Sequence, residues 1–545
     1  MKGKVVKSIV LAAAVTTVLL VYLVSTTAAS PPTPFNWKAK LPNLQQKLER
    51  AGFNVHQAAF GYMDFVKMAC TDVIPSALAN NPWPNAYMVL TDAHLLEDPN
   101  DTRMHDTRGP AYDRNQYWQL REDEAFVLVG ETPPEVRYFG FTTYAYYLPD
   151  DPLTSDVDES QQPRGIAVGD PTNIATMHTI GPDPFLAPIV YIITGNRQTE
   201  RVVREAVLAA GYPAEIINVD AISPVIAPLG IGPKDTVFTF ATRNSVPASS
   251  ADITEYIVNA NNHMKAFRVT PLNAQGELQV EPVFPDDPEP VPVLRTQGTG
   301  HTEMELYQAL KSLRAAILNR YASLSQGDPG YPYKELDTDI WSAGPDTMGE
   351  KPYVALQRGK YGGAVSRDNN YLTTGPLFML RNNVDEFVIV YGVNHQATGK
   401  ATYASFSLYG NPIGQVGLGT TLSTKFDLRP DGTGQPGDSA RQYLTPDDPY
   451  YQYADMLYAW KVARECNDEP YCMEVDTQFE SPVGENYTCP AYLDYKNGED
   501  WLFFIFRNYM EPATSAAPDD NELVYDRVVY FGPGQFLDWG DVPVP

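Results

Sequence analysis

The chain has 545 residues, 43% hydrophobic and 20% charged, which allows two to four domains with sizeable cores. Its 67 acidic side chains against 40 basic ones leave a net charge of −27, a surface that repels nucleic acid and anionic lipid. The aromatic share, rich in Tyr, suits half-buried sheet faces and sugar- or protein-binding surfaces alike.

At the N-terminus, Lys2, Lys4 and Lys7 precede an apolar run from about Ile9 to Val24, then "STTAAS". Residues 1–29 therefore read as a secretory signal peptide or an uncleaved N-terminal anchor. The rest is expected outside the cytoplasm, secreted or tethered by that segment, which is also the only expected contact with a membrane. Export makes the four cysteines disulfide candidates. Cys466–Cys472 and Cys70–Cys489 are favoured among the three pairings. A metal site is the rival, without C-x-x-C spacing to support it. Asn100 and Asn486 sit in glycosylation sequons.

Residues 32–280 read as a first α+β unit. Helices are expected at Asn43 to Ala51 and His56 to Cys70. A hairpin follows in "DEAFVLVGETPPEVRYFGFTTYAYY", Asp123 to Tyr147, and a helix in "TERVVREAVLAAG", closed by Gly211. Pro188 to Asp220 forms a possible β-α-β unit with one glycine in its first turn and no G-x-G-x-x-G. No dinucleotide, and no other cofactor, is expected. The stretch "PVFPDDPEPVP", Pro282 to Pro292, marks a linker over 281–296, because dense proline favours extended backbone.

Residues 297–545 read as a second α+β unit. "TEMELYQALKSLRAAILNRYASLS" places Leu306, Leu310, Leu313 and Ile317 on one helix face. Thr302 and Glu305 have the spacing of a capping box, with Glu303 in the first turn. The pattern of "DEFVIVYGVNHQATGKATYASFSLYG", Asp385 to Gly410, is strand, loop, strand, and "ADMLYAWKVAREC" reads as a helix.

The two units echo each other. Both hairpins open with Asp-Glu, run apolar to Gly130 or Gly392, and end in Tyr-x-x-Phe-x-x-Tyr: Tyr138, Phe141, Tyr144 and Tyr403, Phe406, Tyr409. "PAEIINVDAISP" resembles "PYCMEVDTQFESP", "KDTVFTFATRNSVP" resembles "EDWLFFIFRNYMEP", and "KAFRVTP" resembles "RVVYFGP". "RNQY" at Arg114 faintly echoes "DNNY" at Asp368. The expected fold is therefore α+β: two tandem, internally duplicated units, each a largely antiparallel sheet packed by two or more helices.

The most site-like segment is the hairpin loop "VNHQATGKAT", whose counterpart "ETPPEVR" lacks His and Lys. His395 and Lys400, with Arg367 and Asp368, are the candidate catalytic residues: imidazole as base, cations for an oxyanion, a third group to orient. Asn394, Thr398, Asn369, Tyr371 and His301 are candidate ligand contacts. No metal site is expected: His301 with Glu303 is better read as capping, and the Asp431 to Asp438 stretch lacks EF-hand spacing. Serine-hydrolase elbows are absent. The expected function is an exported protein binding a small polar molecule or glycan in a cleft between the units. The alternative is an extracellular hydrolase or lyase with His395 as general base and Lys400 or Arg367 as oxyanion stabilisers.

Overall fold

The computed structural model describes residues 35–63, 86–91, 116–147, 166–224, 227–232, 235–279, 281–288, 294–325, 333–340, 366–381, 386–412, 436–475, 478–480, 486–488 and 500–538. Among them are helices and two large sheets, so the fold is α+β with strands predominating. The eight longer or paired strands of the first half are β1 (Phe53–Met63), β2 (Ala86–Thr91), β3 (Ala125–Glu131), β4 (Val136–Tyr147), β5 (Pro188–Thr194), β6 (Ile217–Ala221), β7 (Val237–Pro247) and β8 (Met264–Pro271). Those of the second half are β9 (Tyr333–Ile340), β10 (Asn369–Gly375), β11 (Phe387–Val393), β12 (Tyr403–Pro412), β13 (Leu457–Ala463), β14 (Cys472–Glu474), β15 (Asp500–Tyr509) and β16 (Arg527–Phe531).

The first sheet runs β6-β5-β3-β8-β1-β2-β7-β4. The second runs β14-β13-β11-β16-β9-β10-β15-β12. Taken in chain order, the two sequences of neighbours are the same. Each has one parallel pair, β5 with β6 and β13 with β14, and every other pair along these paths is antiparallel. Short strands at 166–167 and 172–173 pair with the edge strand β4, and one at 377–378 pairs with β15 and with another at 536–537.

Each sheet folds over itself through one bent strand. In β1, Phe53 to Ala58 pair with β8, while Ala59 to Met63 pair with β2. In β9, Tyr333 to Leu336 pair with β16, while Asp337 to Ile340 pair with β10. A strand that switches layers makes the corner of a sandwich and encloses a core between the layers. Phe126, Leu128, Phe141, Tyr191 and Phe240 fill the first core, and Val388, Val390, Phe406, Trp460 and Phe504 the second. Rings from opposite ends of the strand order meet there: Phe141 with Tyr191, and Phe406 with Tyr458.

Helices sit on the far faces. Leu44 and Leu48 of α1 (Leu41–Arg50) and Val203 and Val207 of α2 (Arg197–Ala209) are buried on the first half. The Asn196 side chain caps α2 by accepting from Thr199 N, and Gly211 follows its end at φ +93°, a conformation glycine adopts without Cβ strain. Helices α3 (Ser250–Val258) and α4 (Ala260–His263) add Ile253, Tyr256, Ile257 and Ala260 to the first core. Leu310, Leu313 and Ile317 of α5 (Tyr307–Arg320) pack on Phe387, Ile389 and Tyr391 of β11.

Four sequence expectations are corrected. His56 to Met63 lie in β1, not in a helix; both parts of the strand are paired, which overrides local helix propensity. The remaining residues of that expected helix, like Cys70 and Cys489, lie outside the described set. "LYAWKVA" is β13. It is buried on both faces, Leu457 and Ala459 toward α5 and Tyr458, Trp460 and Val462 in the core. A strand buried on both sides shows no alternation and mimics a helix. Third, the helix at 307–320 has no side-chain cap, so the Thr302–Glu305 box does not form there. Last, the two Asp-Glu stretches are strand, loop, strand but not hairpins: β3 pairs with β5 and β8 while β4 pairs with β7, and β11 pairs with β13 and β16 while β12 pairs with β15, so each loop crosses from one layer to the other.

The parallel pairs reach the same arrangement by different routes. Residues 195–216 cross over through α2 in the first half. Residues 464–471 do so in the second, closed by the Cys466–Cys472 disulfide. A parallel link ordinarily needs a dozen or more residues. In the chain-entropy account, closing so small a loop stabilises by about 2 kcal/mol. Replacing both cysteines by Ser should lower the unfolding free energy by about that amount in urea titrations, with the strand order kept.

Candidate functional site

The expected site residues fall into two buried constellations, and a pocket adjoins one of them. The first is the loop between β11 and β12. Asn394 opens it as a turn: its backbone oxygen accepts from Ala397 N and Thr398 N, and its side-chain oxygen from Ala397 N. His395 is 2% exposed, not displayed on a surface loop. Its Nδ1 lies 2.9 Å from Glu303 Oε1, and its Nε2 lies 3.5 Å from Asp526 Oδ2. Burial works against the charged ring, but Glu303 and Asp526 outweigh it and push the pKa up to about 10. The carboxyl of Glu303 is held below its ordinary value: its burial opposes ionisation, and His395, Thr398 and the Val524 amide overcome this.

Lys400 is equally enclosed. Its Nζ donates to Glu511 at 2.9 Å, to Glu522 at 2.5 Å and to Thr299 Oγ1 at 3.0 Å. The loop thus carries two cations into a junction of four carboxylates, Glu303, Glu511, Glu522 and Asp526, all buried. Glu303 is spent on this junction, and not on the dipole of α5. His301, two residues away, is exposed.

Arg367 and Asp368 do not join His395; they face the first half. Arg367 Nε donates to Asp170 Oδ1 at 2.9 Å and its Nη2 donates to Arg295 O. Asp368 is fully buried. It accepts from Tyr138 OH at 2.6 Å, Asn173 Nδ2 at 3.0 Å and Ser366 Oγ at 2.8 Å. Asn369 Nδ2 donates to Ser366 Oγ at 2.6 Å.

Tyr371 lies in the seam between the halves. There β2, β7 and β4 present Tyr87, Arg243, Tyr138 and Tyr144, and β10, β15 and β12 present Tyr371, Arg507, Tyr403 and Tyr409. Register places these residues equivalently: Tyr87 and Gly140 flank Arg243, as Tyr371 and Ser405 flank Arg507. Arg243 Nη1 donates to Tyr509 OH at 2.6 Å and Tyr371 OH at 3.4 Å, and its guanidinium stacks over the Tyr87 and Tyr509 rings. The Tyr138 and Tyr509 rings meet across the seam at 4.9 Å.

An open pocket of about 580 Å³ adjoins the Arg367 contact. It is lined by Asp170, Thr172, His178, Arg204, Asp220 and Arg295, among others. Asp170 fixes Arg295 and Arg367 together. Arg204 is held by Glu200 one helical turn earlier. Arg295 Nη1 is buried without an acceptor. Asp220 accepts from Thr143 Oγ1 at 2.6 Å, and burial raises its pKa to about 6. None of the pocket residues was singled out in the sequence. Asp220 is the penultimate residue of β6 and Arg295 lies near the end of the linker, and neither carries a motif.

No protein-family model matches the sequence, and no curated protein matches it. Among solved structures, the VPA0106 protein from Vibrio parahaemolyticus aligns over 90% of this chain and 96% of its own, at 10% identity and a TM-score of 0.34. An uncharacterised protein from Burkholderia cenocepacia aligns over 94% and 92%, at 10% identity and a TM-score of 0.31.

Removing one partner from a buried ion pair leaves the other charge uncompensated, a loss of about 3–5 kcal/mol. His395→Ala should therefore destabilise by about that much in urea titrations at neutral pH. The raised imidazole pKa stabilises fully below about 6.5, its unfolded value, and the gain is lost as pH rises toward 10. Wild-type stability should fall over that range by more than that of the variant.

Proposed function

We propose that this chain is an exported binding protein of two duplicated halves, taking a small polar ligand in a pocket lined by the first half and the linker, next to the Arg367 contact with Asp170. The observation that carries the reading is the pocket itself. At about 580 Å³ it has the size of a small-molecule site. It also sets a buried Arg295 nitrogen with no acceptor beside an acid, Asp220, poised near pH 6. The guanidinium suits a carboxylate or phosphate group, and Asp220 suits an ammonium or hydroxyl group of the same molecule.

Duplication is supported by the common strand order, the common place of the parallel pair, and the matched Tyr87, Arg243 and Tyr371, Arg507 positions. Export is supported by the basic and apolar N-terminal sequence and by the Cys466–Cys472 disulfide. Among the described residues no helix is long and apolar enough to cross a membrane. The enzymatic alternative draws no support from His395, since a buried imidazolium with a pKa near 10 holds its proton at neutral pH.

Calorimetric titration with small zwitterions, sugar acids and neutral sugars tests the reading. A ligand bearing both charges should bind, and Arg295→Ala should abolish binding while leaving the fold intact. If the ligand's cation meets the Asp220 carboxylate, affinity should rise about tenfold from pH 5 to pH 7 as that group ionises. Asp220→Asn should flatten that dependence. Binding unchanged in Arg295→Ala would remove the pocket from the argument.

A further inference from the structure

Arg507 is a buried guanidinium whose hydrogen-bond partners are a serine and a tyrosine hydroxyl. It is 2% exposed, in the middle of β15 and on the face turned to the seam. Its Nη1 donates to Ser407 Oγ at 2.8 Å and its Nη2 to Tyr409 OH. Its guanidinium carbon lies over the rings of Tyr371, at 5.2 Å, and Tyr409, at 5.4 Å. Its Nε is buried with no acceptor, and among the described residues it forms no ion pair with a carboxylate. A guanidinium has five N–H donors, and here only two reach an acceptor. Ser405, paired directly across from Arg507, has a buried hydroxyl with no partner.

A second cation lies close by. Arg243 reaches the hydroxyl of Tyr371, whose ring Arg507 covers. Asp368, a buried acid of the same seam, takes its hydrogen bonds from Tyr138, Asn173 and Ser366. Stacking on tyrosine lowers the cost of burying a guanidinium but does not neutralise it, and an isolated buried charge is strongly unfavourable. Unused N–H donors, an unused hydroxyl and excess positive charge on one face are the elements of an oxyanion site.

We propose that the seam between the halves holds a small oxyanion, a carboxylate, sulfate or phosphate group, on Arg507 and Ser405, with Arg243 as the second cation. The site is separate from the Arg295 pocket and does not depend on it. The anion sits between two sheets and acts as a fastener of the two halves.

Two measurements test this. Ion chromatography of acid-denatured protein, purified without added phosphate or sulfate, should release close to one oxyanion per chain. Thermal denaturation after dialysis into chloride, then overnight equilibration with sodium phosphate, sulfate or acetate at constant ionic strength, should show a saturable rise in Tm of several degrees. A response to phosphate or sulfate marks an inorganic occupant; a response to acetate alone marks a carboxylate one. Arg507→Met should abolish the response. Should that variant fail to fold, Ser405→Val keeps the charge and should weaken the apparent affinity at least tenfold. The proposal is overturned by the absence of both a released oxyanion and a saturable shift, or by an equal shift in the variants. Tyrosinate absorbance near 295 nm at neutral pH that vanishes in Tyr371→Phe would also overturn it, since the compensating charge would then reside on that phenol.

Discussion

The arrangement depends on a polar contact between two sheets. Each half buries a conventional apolar core between its own layers, and this alone would make two independent sandwiches. What joins them is a buried face on which tyrosines, arginines and small hydroxyls stand among apolar side chains such as Phe503, Ile505 and Met510. Every phenol and guanidinium there must find a partner when water leaves, or cost one or more kcal/mol. The hydrogen bond from Tyr138 to Asp368 and those from Arg243 to Tyr371 and Tyr509 link strands more than a hundred residues apart. Such bonds have direction, so they set the position of one half on the other more strictly than apolar packing would.

Two recurring devices hold each sandwich. One is the buried glutamate just before β3 and just before β11. Glu124 accepts from Arg121 N and from Arg268 of β8. Glu386 accepts from Arg381 N and from Tyr530 of β16. The other is the glycine next to the end of β3 and of β11. A Cβ on Gly130 would lie 2.3 Å from His263 O, and one on Gly392 would lie 2.5 Å from Asp526 Oδ1. Both obstacles belong to the residue just before the last long strand of the half. At Gly130 the obstacle is backbone and at Gly392 the Asp526 carboxylate, and neither leaves room for a Cβ.

The loop between β11 and β12 differs from that between β3 and β4 because its surroundings do. The segment after the linker brings Glu303, and the segment before β16 brings Glu511, Glu522 and Asp526, into one buried junction. Without cations, that concentration of carboxylate would not ionise or would not fold. His395 and Lys400 supply them. The residues that look most chemical in the sequence are therefore the counterions of the tertiary structure, and the pocket is built instead from residues with no local signature.

Local order was legible in the sequence. The period of α5, the terminal glycine of α2 and the Cys466–Cys472 closure all depend on contacts among residues near in the chain, and they occur where spacing puts them. The Tyr-x-x-Phe-x-x-Tyr spacing also had a readable meaning. Positions three apart on a strand face opposite ways, so Phe141 and Phe406 enter the cores while the tyrosines turn to the seam. Tertiary structure alone decided the rest. β1 and β13 are strands because partners lie on both sides of them, a fact no local window contains. Burial likewise decided the state of His395: its charge follows from Glu303 and Asp526, each remote in sequence, and an imidazole in a loop carries no mark of whether carboxylates or water will surround it.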